Sequence, residues 1–340
     1  MSGSSKPLPT PFFYALVALL GLLLRANSAS AEWYQQNWSI MGTTVGARLW
    51  WPDEGEAQKL LAQVRQEMER IDQTYSPYIE SSPLSQINRN AAQSPQTLSP
   101  EFNRLLDKAM WVNEISQGAF DITYASVGHL YDYRAGVKPD QKKIEQQLPA
   151  VGRLQWNPSQ QQLKFSHPGV KIDLGGLAKG YAVDRAAAIL RQHGVRHASV
   201  NAGGDTRLLG DNLGKPWVVG IKNPRPNNAD ETWQSVLKLP LVDEAISTSG
   251  DYERFFIDDN GERVHHIINP KTGKSSHELI SVTVIGPEGF TTDPLSTAVF
   301  VMGSEAGLAM IDQLPGYEAI VITRAGKVRY SSGLQPPAEQ

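Results

Sequence analysis

Strands and helices are intermixed along this chain in no fixed order, and glycine-bearing turns separate many of them. Leu60, Val64 and Met68 recur at helical spacing, which predicts an amphipathic helix that packs one face on a core. In the C-terminal third, strand-like runs alternate with glycine turns and end in a hairpin at Ala325-Gly326. Because a strict strand-helix repeat is missing, we predict an α+β fold with mixed sheets and packed helices rather than a doubly wound parallel sheet.

The local pattern predicts further elements along the chain. They are a strand pair or bent strand over residues 38–51, a long irregular loop over 74–95, a helix from Ser99 that stops near Gly118, a buried strand over 170–174, and a helix over 181–193 that Gly194 ends. Long irregular loops in compact domains are usually functional, so the loop over 74–95 is a candidate for binding.

The N-terminus has the layout of a secretory signal. One basic residue lies on either side of an apolar run over residues 12–24, and the small residues 29–31, Ala-Ser-Ala, supply a cleavage pattern. The apolar run is short for a membrane span. We therefore predict a signal peptide over residues 1–31 and an exported, periplasmic catalytic domain over 32–340. An uncleaved signal would instead anchor the protein in the inner membrane.

Composition restricts the class of protein. The chain has no cysteine, so an exported protein of this sequence depends on its packed core rather than on disulfides. Residues 1–31 hold two basic residues and no acidic one, and their removal takes the formal net charge from −3 to −5. Basic blocks that would follow a nucleic-acid backbone are absent, so we predict no nucleic-acid partner. Residues 32–340 suffice for one large unit or for two subdomains that share a cleft.

The segment 291–297, Thr-Thr-Asp-Pro-Leu-Ser-Thr, sets a carboxylate and a hydroxyl four residues apart at the start of an apolar helical run. Positions i and i+4 lie on one helix face, so Asp293 and Thr297 are predicted to point to the same side. Hard cations such as Mg²⁺ take oxygen ligands of this kind together with substrate phosphates. The alternative is a helix N-cap at Asp293 with Pro294 in the first helical position.

A second segment predicts a strand over residues 170–174, then the glycine pair Gly175-Gly176, then a helix. This order aims free backbone N–H groups and the positive end of a helix dipole at an anion, and Lys179 adds a mobile positive charge. Neither the P-loop order nor the G-x-G-x-x-G spacing is present. Paired glycines alone also mark tight packing, so both interpretations stay open on this segment.

Three other segments place polar or aromatic side chains beside glycine turns. They are residues 118–123, Gly-Ala-Phe-Asp-Ile-Thr, residues 246–253, a run of hydroxyls that ends in Gly-Asp-Tyr-Glu, and residues 265–273, which begin with two histidines. A histidine pair is usually structural, and zinc would need more ligands at recognisable spacing. We therefore expect no zinc site.

Seven separated blocks occur in the order seen in the ApbE-type FAD:protein FMN transferases, which this chain resembles over nearly its whole mature length. The blocks are MGTT at 41–44, GAFDIT at 118–123, DLGGLAKGYAVD at 173–184, NAGGD at 201–205, STSGDYE at 247–253, HIINPKTG at 266–273 and TDPLST at 292–297. Tyr78 and residues 82–88 match an aromatic residue and an S-E-x-S-R-x-N segment of that family more loosely.

The resemblance implies FAD as substrate, Mg²⁺ as cofactor, and a T-fold-like core with the active site in a cleft between two subdomains. By position, the metal ligands fall on Asp293, Thr297 and a backbone oxygen near Gly176, with Ser296 where some members have an acid. The FAD contacts fall on Met41, Tyr78, Ala119, Phe120, Asp121, Asp173, Lys179 and Ile267. Asn269 stands where Asp is usual and Gln86 where Arg is usual, and Ser296 leaves the metal site less charged.

The implied reaction is transfer of the FMN moiety of FAD to a Ser or Thr hydroxyl of another protein, with release of AMP. Lys179 would assist at the phosphates. His266 matches the histidine implicated in transfer, and its ordinary pKa near ~6.5 suits a general base. Asp251 is the second candidate for this role. The alternative for His266 is a structural residue that holds the flavin pocket in shape.

Two other functions remain open at this point. One is a metal-dependent FAD pyrophosphatase, in which water replaces the acceptor hydroxyl and FMN and AMP leave free. The other is a non-catalytic FAD carrier, in which Asp293 and Thr297 would only cap a helix. For a transferase, the resemblance suggests acceptors among respiratory electron-transfer subunits and exported FMN-binding domains that carry a Ser/Asp-Gly-x-Ser/Thr-Gly-Ala-Thr type motif.

Overall fold

The fold was described from a computed structural model that covers residues 31–225 and 235–334. The predicted signal peptide over residues 1–31 therefore lies outside the described residues, apart from Ala31. Within the described ranges, no helix has both the length and the apolar character of a membrane span. Cleavage of the signal and periplasmic location stay predictions.

The helices and strands of the described residues are numbered here in chain order. The helices are α1 Glu54–Tyr75, α2 Pro83–Asn90, α3 Pro100–Ile115, α4 Ala125–Gly128, α5 Gln141–Gln147, α6 Ala178–Gln192, α7 Gly289–Met302 and α8 Ser304–Ile311. The strands are β1 Glu32–Ile40, β2 Thr43–Trp51, β3 Gln96–Thr97, β4 Leu154–Asn157, β5 Gln162–Phe165, β6 Ala198–Ala202, β7 Asp205–Leu209, β8 Trp217–Lys222, β9 Ser235–Leu241, β10 Ala245–Gly250, β11 Phe255–Ile257, β12 Arg263–His265, β13 Ile268–Asn269, β14 Lys274–Ser275, β15 Leu279–Gly286, β16 Glu318–Thr323 and β17 Val328–Tyr330.

The largest sheet of the described residues has eight strands in the order β1-β2-β6-β7-β10-β15-β16-β17, and every neighbouring pair is antiparallel. Smaller sheets pair β11 with β12, β13 with β14, β8 with β9, and β5 with both β3 and β4. Several helices pack against the large sheet. The predicted α+β class is therefore confirmed.

Both faces of the large sheet are covered, which explains why every residue of β15 is buried. Val282 and Val284 face a core that includes α1, α6 and α7, while Ile285 faces the other way. On that second face, the β8–β9 hairpin contributes Trp217 and Leu241 to a smaller apolar cluster. The sheet is thus held between a helical layer and a hairpin, and the candidate site lies on the helical side.

The first helix was predicted correctly, and of the two alternatives for residues 38–51 the strand pair is correct. Met41 and Gly42 join β1 to β2, and both have positive φ, 56° and 68°, as a type I′ turn requires. Helix α1 buries the predicted stripe, including Leu60, Val64 and Met68. Helix α3 ends at Ile115, close to the predicted stop at Gly118, where φ is 79°.

The predicted loop over residues 74–95 is wrong in part because it contains helix α2. Ser82 caps this helix by accepting a hydrogen bond from the Ser85 N–H at 3.0 Å, and Pro83 occupies the first helical turn. The Ser-Pro-Leu-Ser sequence carries this signal, but the many surrounding serines and prolines hide it. The element is a short capped helix between loops.

The predicted strand over residues 170–174 is also wrong, although Val170, Ile172 and Leu174 are buried as expected. Among the described residues the segment has no strand partner, and the Asn88 side chain bonds to its backbone instead. Its amide accepts from the Ile172 N–H at 2.8 Å and donates to the Ile172 carbonyl at 2.9 Å. Helix α6 then begins at Ala178, three residues before the predicted start.

Candidate active site

Asp293 is not a helix N-cap, so the capping alternative is wrong. Helix α7 begins at Gly289, a full turn earlier, and Asp293 lies inside the helix and is buried. The first turn is capped by Asp184 of helix α6, whose two carboxylate oxygens accept from the N–H groups of Gly289 at 2.9 Å and Phe290 at 2.8 Å. Asp293 is therefore available for another role.

The carboxylate of Asp293 is held by the start of helix α6. One oxygen accepts from the Gly180 N–H at 2.9 Å, and Lys179 Nζ lies 3.3 Å from both oxygens. Lys179 Nζ also lies 2.8 Å from the carboxylate of Asp205, which is buried at the start of β7. Two buried carboxylates thus share one lysine, and ionisation of both leaves the group with an excess negative charge.

This arrangement sets the protonation of the group. Burial, and then the charge of Asp205, raise the pKa of Asp293 above the ordinary range of an aspartate. Burial opposes the charge on Lys179, but Asp205 and Asp293 outweigh it and raise the lysine pKa above its usual value. A bound cation would supply the positive charge that this cluster lacks.

Hydroxyl groups lie beside the Asp293 carboxylate, and together these oxygens form what we call the oxygen-rich wall. Asp293, Ser296 and Thr297 lie on one face of α7, as the spacing predicted. From β10, Ser249 Oγ lies 2.8 Å from Ser296 Oγ and 3.3 Å from Thr297 Oγ1. A Cβ placed on Gly176 would lie 3.6 Å from Thr297 Oγ1, so the Gly176 backbone adjoins the same hydroxyl. The structure brings the four predicted metal-site residues together.

The donors at this wall fit a hard cation. They are carboxylate and hydroxyl oxygens, which Mg²⁺ prefers, and Mg²⁺ commonly takes only one or two protein ligands together with water and phosphate. Among the described residues, no cluster of three or more His, Cys, Asp or Glu side chains is arranged for a metal. A cation here would therefore depend on hydroxyl oxygens and on oxygens of a substrate.

Helices α6 and α7 cross at a contact between two glycines. A Cβ on Gly180 would lie 2.0 Å from the Gly289 carbonyl oxygen and 2.6 Å from Asp293 Cβ. A Cβ on Gly289 would lie 2.8 Å from the Gly180 carbonyl oxygen. Only glycine allows backbones to approach so closely. This contact places Asp293 against the first turn of α6.

The predicted anion site at the glycine pair is wrong for most of its backbone amides. The Gly175 N–H donates to Asp173 at 2.7 Å, and the Leu177 and Ala178 N–H groups donate to the Leu174 carbonyl. The anion that occupies the positive end of the α6 dipole is the carboxylate of Asp293 itself. Lys179 remains the mobile positive charge of this region.

Asp173 and residues 119–121 form the neighbouring wall. Tyr124 OH donates to Asp173 at 3.2 Å, and burial raises the pKa of Asp173. Phe120 is buried with its ring against Gly176, and Ala119 is also buried. Asp121 accepts from the Thr123 N–H at 2.8 Å and caps a short 3-10 turn, while burial raises its pKa.

The remaining predicted FAD contacts lie on three other segments and differ in exposure. Tyr78 is 81% exposed, so its ring is accessible to a ligand. The Met41 N–H donates to Asp72 at 3.2 Å from the β1–β2 turn. Ile267 is buried, and its carbonyl accepts from the Ser276 N–H, so this backbone oxygen is already occupied.

His266 follows strand β12, and its Nδ1 atom is buried without a hydrogen-bond partner among the described residues. Burial first, and then the charge of Arg254, lower the pKa of His266 to about 3. The expected pKa near ~6.5 is therefore wrong for this structure. The ring is neutral at pH 7 and presents an unshared nitrogen lone pair.

His265 and Asp251 are structural. His265 Nε2 donates to the Ser276 carbonyl at 2.6 Å, and its Nδ1 accepts from the Ile267 N–H at 3.3 Å. Asp251 is buried and receives both guanidinium arms of Arg225, at 2.9 and 2.5 Å. Because this carboxylate is fully engaged, Asp251 does not support the role of second candidate base.

Sequence reasoning missed three residues of the site. Asp205 pairs with Lys179, Ser249 joins the two hydroxyls of α7, and Asp184 caps α7. All three lie inside blocks that were singled out, but their contacts are separated by tens of residues along the chain. The only local signal was an acid directly after the Gly203-Gly204 turn.

Comparison with known proteins identifies the family. The model of the ApbE family matches residues 41–321, which is most of the chain. The chain belongs to the ApbE family. The FAD:protein FMN transferase of Haemophilus influenzae is 30% identical over 313 residues, which cover 88% of this chain and 89% of that relative. The enzyme of the same name from Vibrio cholerae is 31% identical, over 95% and 98% of the two chains.

Solved structures of the ApbE family have the same fold. The ApbE protein of Thermotoga maritima superposes with a TM-score of 0.79 at 31% identity, over 89% of this chain and 98% of that one. The flavin transferase ApbE of Vibrio cholerae superposes with a TM-score of 0.77 at 29% identity, over the same shares of the two chains. The predicted resemblance and the predicted class, a transferase, are confirmed.

Proposed function

We propose that this protein transfers the FMN moiety of FAD to a Ser or Thr hydroxyl of an acceptor protein and releases AMP. The relatives named FAD:protein FMN transferase support the flavin substrate. The observation that carries the proposal is the convergence of Asp293, Thr297 and Lys179 at one buried, oxygen-rich wall. A helix cap or a passive carrier would not require this excess of negative charge beside a lysine.

Asp293 and Thr297 would hold Mg²⁺, with the Gly176 backbone and Ser296 beside them. The ion, when bound, would offset the charge that develops on the transferring phosphate. Lys179 has a separate task. Its ammonium group is held between Asp205 and Asp293, from where it would turn toward a phosphate oxygen of the bound substrate.

His266 is the candidate general base. The acceptor oxygen forms a bond to the phosphorus of the FMN half, and the bond from that phosphorus to the bridging oxygen breaks, so AMP leaves with the oxygen. The hydroxyl proton passes to the unpartnered Nδ1 of His266 and then to solvent. The low pKa keeps this nitrogen free at pH 7 but makes it a weak base, so the proton is transferred late, as the new bond forms.

The test is a product balance. The chain is incubated with FAD, Mg²⁺ and an exported FMN-binding domain that carries an Asp-Gly-x-Ser-Gly-Ala-Thr segment, and labelled acceptor, AMP and free FMN are counted. Transfer yields one AMP for each FMN bound to the acceptor. Free FMN in place of labelled acceptor would identify a pyrophosphatase, and bound but unchanged FAD would identify a carrier.

We also propose that the mature enzyme begins at or near Glu32 and is periplasmic. The Ala-Ser-Ala pattern at residues 29–31 supports this location. N-terminal sequencing of the protein from an exported fraction should return Glu32 or a close neighbour. Recovery of Met1 or Ser2 would contradict cleavage and favour an anchored form.

A further inference from the structure

Strand β11 has one open edge. In the described part of the chain it pairs only with β12, with Phe255 opposite His265 and Ile257 opposite Arg263. The His266 N–H donates to the Arg254 carbonyl at 3.1 Å, and the Asp258 N–H donates to Glu262. Because bonded residues alternate along an antiparallel strand, the backbone groups of Phe255 and Ile257 face away from β12.

No described residue bonds to those outward groups. The outer edge of β12, by contrast, is covered, since Ser275 Oγ accepts from the His265 N–H and donates to the His265 carbonyl. We call the outward side of Phe255–Ile257 the β11 edge. Proteins usually protect such edges with charges, prolines or a covering segment.

The side chains beside the β11 edge are apolar and exposed. Phe255 and Ile257 share one face and are 37% and 54% exposed, and the Arg263 guanidinium lies 3.7 Å from the centre of the Phe255 ring. The opposite face is packed, because Phe256 contacts Tyr133 with ring centres 6.4 Å apart. The open edge therefore carries both unpaired backbone groups and apolar surface.

The β11 edge leads directly into the candidate site. Arg254 precedes β11 and holds His266 through its carbonyl, while its guanidinium lies beside the Met41-Gly42 turn, 3.2 Å from a Cβ placed on Gly42. The guanidinium is exposed, lies within electrostatic reach of Asp173, and has no hydrogen-bond partner in the described ranges. His266 bonds to Arg254 from the β12 side, so a strand added at the β11 edge lies two strand spacings, about 9.5 Å, from the His266 backbone, and its continuation past Arg254 must turn toward the His266 ring.

We propose that the β11 edge binds an extended segment of the acceptor protein as an added strand, which delivers the reacting hydroxyl to His266. This inference rests on the proposed transferase function. Backbone hydrogen bonds to Phe255 and Ile257 hold the segment, and their side chains contact small or apolar residues of it. An acidic residue of the acceptor segment, next to the reacting hydroxyl, pairs with the Arg254 guanidinium.

The test separates the backbone contact from the side-chain contact. Ile257→Pro removes the outward N–H while leaving the bonds between β11 and β12 in place, since prolines are tolerated where the N–H faces solvent. Ile257→Ser keeps the N–H and removes the apolar side chain. Val218→Ser, at a 67% exposed position on strand β8, is the matched control.

With the FMN-binding domain as acceptor, Ile257→Pro should raise the KM for the acceptor about 3- to 10-fold, as expected for one lost hydrogen bond with its neighbouring contacts. FAD affinity should not change, Ile257→Ser should have a smaller effect, and Val218→Ser should have none. Amide exchange at Phe255 and Ile257 should slow when the acceptor is added. An unchanged KM for Ile257→Pro, or unchanged exchange, would overturn the docking proposal.

Two further outcomes are distinguishable. If the unaltered chain releases AMP without labelling the acceptor, the proposed transfer fails and the acceptor strand fails with it. If all variants label normally, transfer stands and only the docking proposal is overturned. Sedimentation that shows a dimer broken by Ile257→Pro would assign the edge to a second copy of this chain and likewise overturn it.

Discussion

The two sides of the candidate site differ in how completely their polar groups are engaged. On the buried side, Asp293, Asp205 and Lys179 are hydrogen-bonded or ion-paired to one another and are enclosed by α6, α7 and the sheet. On the side that we call open, Tyr78 is exposed, and the buried His266 Nδ1 has no hydrogen-bond partner in the described residues. The buried side is already organised, whereas the open side has a polar atom, His266 Nδ1, that lacks a partner in the described residues and that a ligand could satisfy.

This difference suggests a division of labour. An organised cluster of fixed charges stabilises a transition state without rearrangement, which is the form that electrostatic catalysis requires. Polar groups without a protein partner suit the binding of a substrate and an acceptor that associate and dissociate. Substitutions on the two sides of the site test this division.

The largest effect is expected at the centre of the buried side. Asp293→Ala should lower FMN transfer by about 10³-fold or more, because it removes the charged ligand and part of the preorganised field. The fold should persist, since Lys179 keeps its ion pair with Asp205. Transfer rate and thermal unfolding measure the two effects separately.

Asp293→Asn is the matched control for shape. It should lose comparable activity but unfold closer to the parent, because the amide can still accept from Gly180. Near-normal transfer by Asp293→Ala would remove the buried side from catalysis and leave it a structural cluster.

On the open side, His266→Ala should lower kcat by about 10²-fold or more with little change in FAD affinity, because a base acts only in the chemical step. Lys179→Ala should weaken both FAD binding and rate, since a phosphate contact exists in the bound state too. FAD titration and timed acceptor labelling separate these quantities. Equal losses of binding and rate in His266→Ala would mean that His266 shapes the flavin pocket.

A smaller effect is expected beneath the open side. Asn88→Ala removes both hydrogen bonds to Ile172 and should cost about 1–3 kcal/mol of unfolding free energy. Asp173 follows Ile172 directly, so FAD affinity should fall as well. Urea unfolding and FAD titration measure the two effects. Unchanged affinity together with lower stability would show that Asp173 is positioned by other contacts.

The effect that is smallest near neutral pH concerns the titration of His265. Burial lowers the pKa of His265 to about 4, below the value of ~6.5 in an unfolded chain. Between those values the unfolded chain binds a proton that the folded chain excludes, so stability falls as pH falls through this window, by up to about 1.4 kcal/mol per pH unit for one proton. His265→Gln should reduce this slope. Above pH ~7 its unfolding free energy should change with pH in parallel with that of the parent. If the unfolding free energy of His265→Gln and of the parent depended on pH with the same slope, the pKa of His265 in the folded state would not be lowered.

The sequence predicted the parts of the site that depend on local spacing. The four-residue interval between Asp293 and Thr297 placed both on one face of α7. Over residues 38–51, the strand pair that was one of two predicted alternatives is formed, with its turn at Met41-Gly42. Contacts between distant segments could not be predicted in the same way. The cap of α7 comes from Asp184, and the second partner of Lys179 is Asp205, so neither follows from a local pattern.

Burial and substitution of partners explain the other errors. Residues 170–174 have strand composition, but the Asn88 side chain replaces a neighbouring strand, which no periodicity reveals. The pKa of His266 depends on how much water the fold removes from the ring and on the position of Arg254. Both are properties of the assembled structure, whereas the residue type fixes only the unperturbed value.

The contact between Gly180 and Gly289 determines how far Asp293 can move relative to helix α6 when temperature or solvent changes. Two backbones in direct contact leave no side chain between them that could change rotamer. The separation of the Gly180 backbone from Asp293 is therefore fixed by main-chain geometry. Changes of temperature or solvent that rearrange flexible side chains at the rim should leave this distance unaltered until the two helices themselves separate.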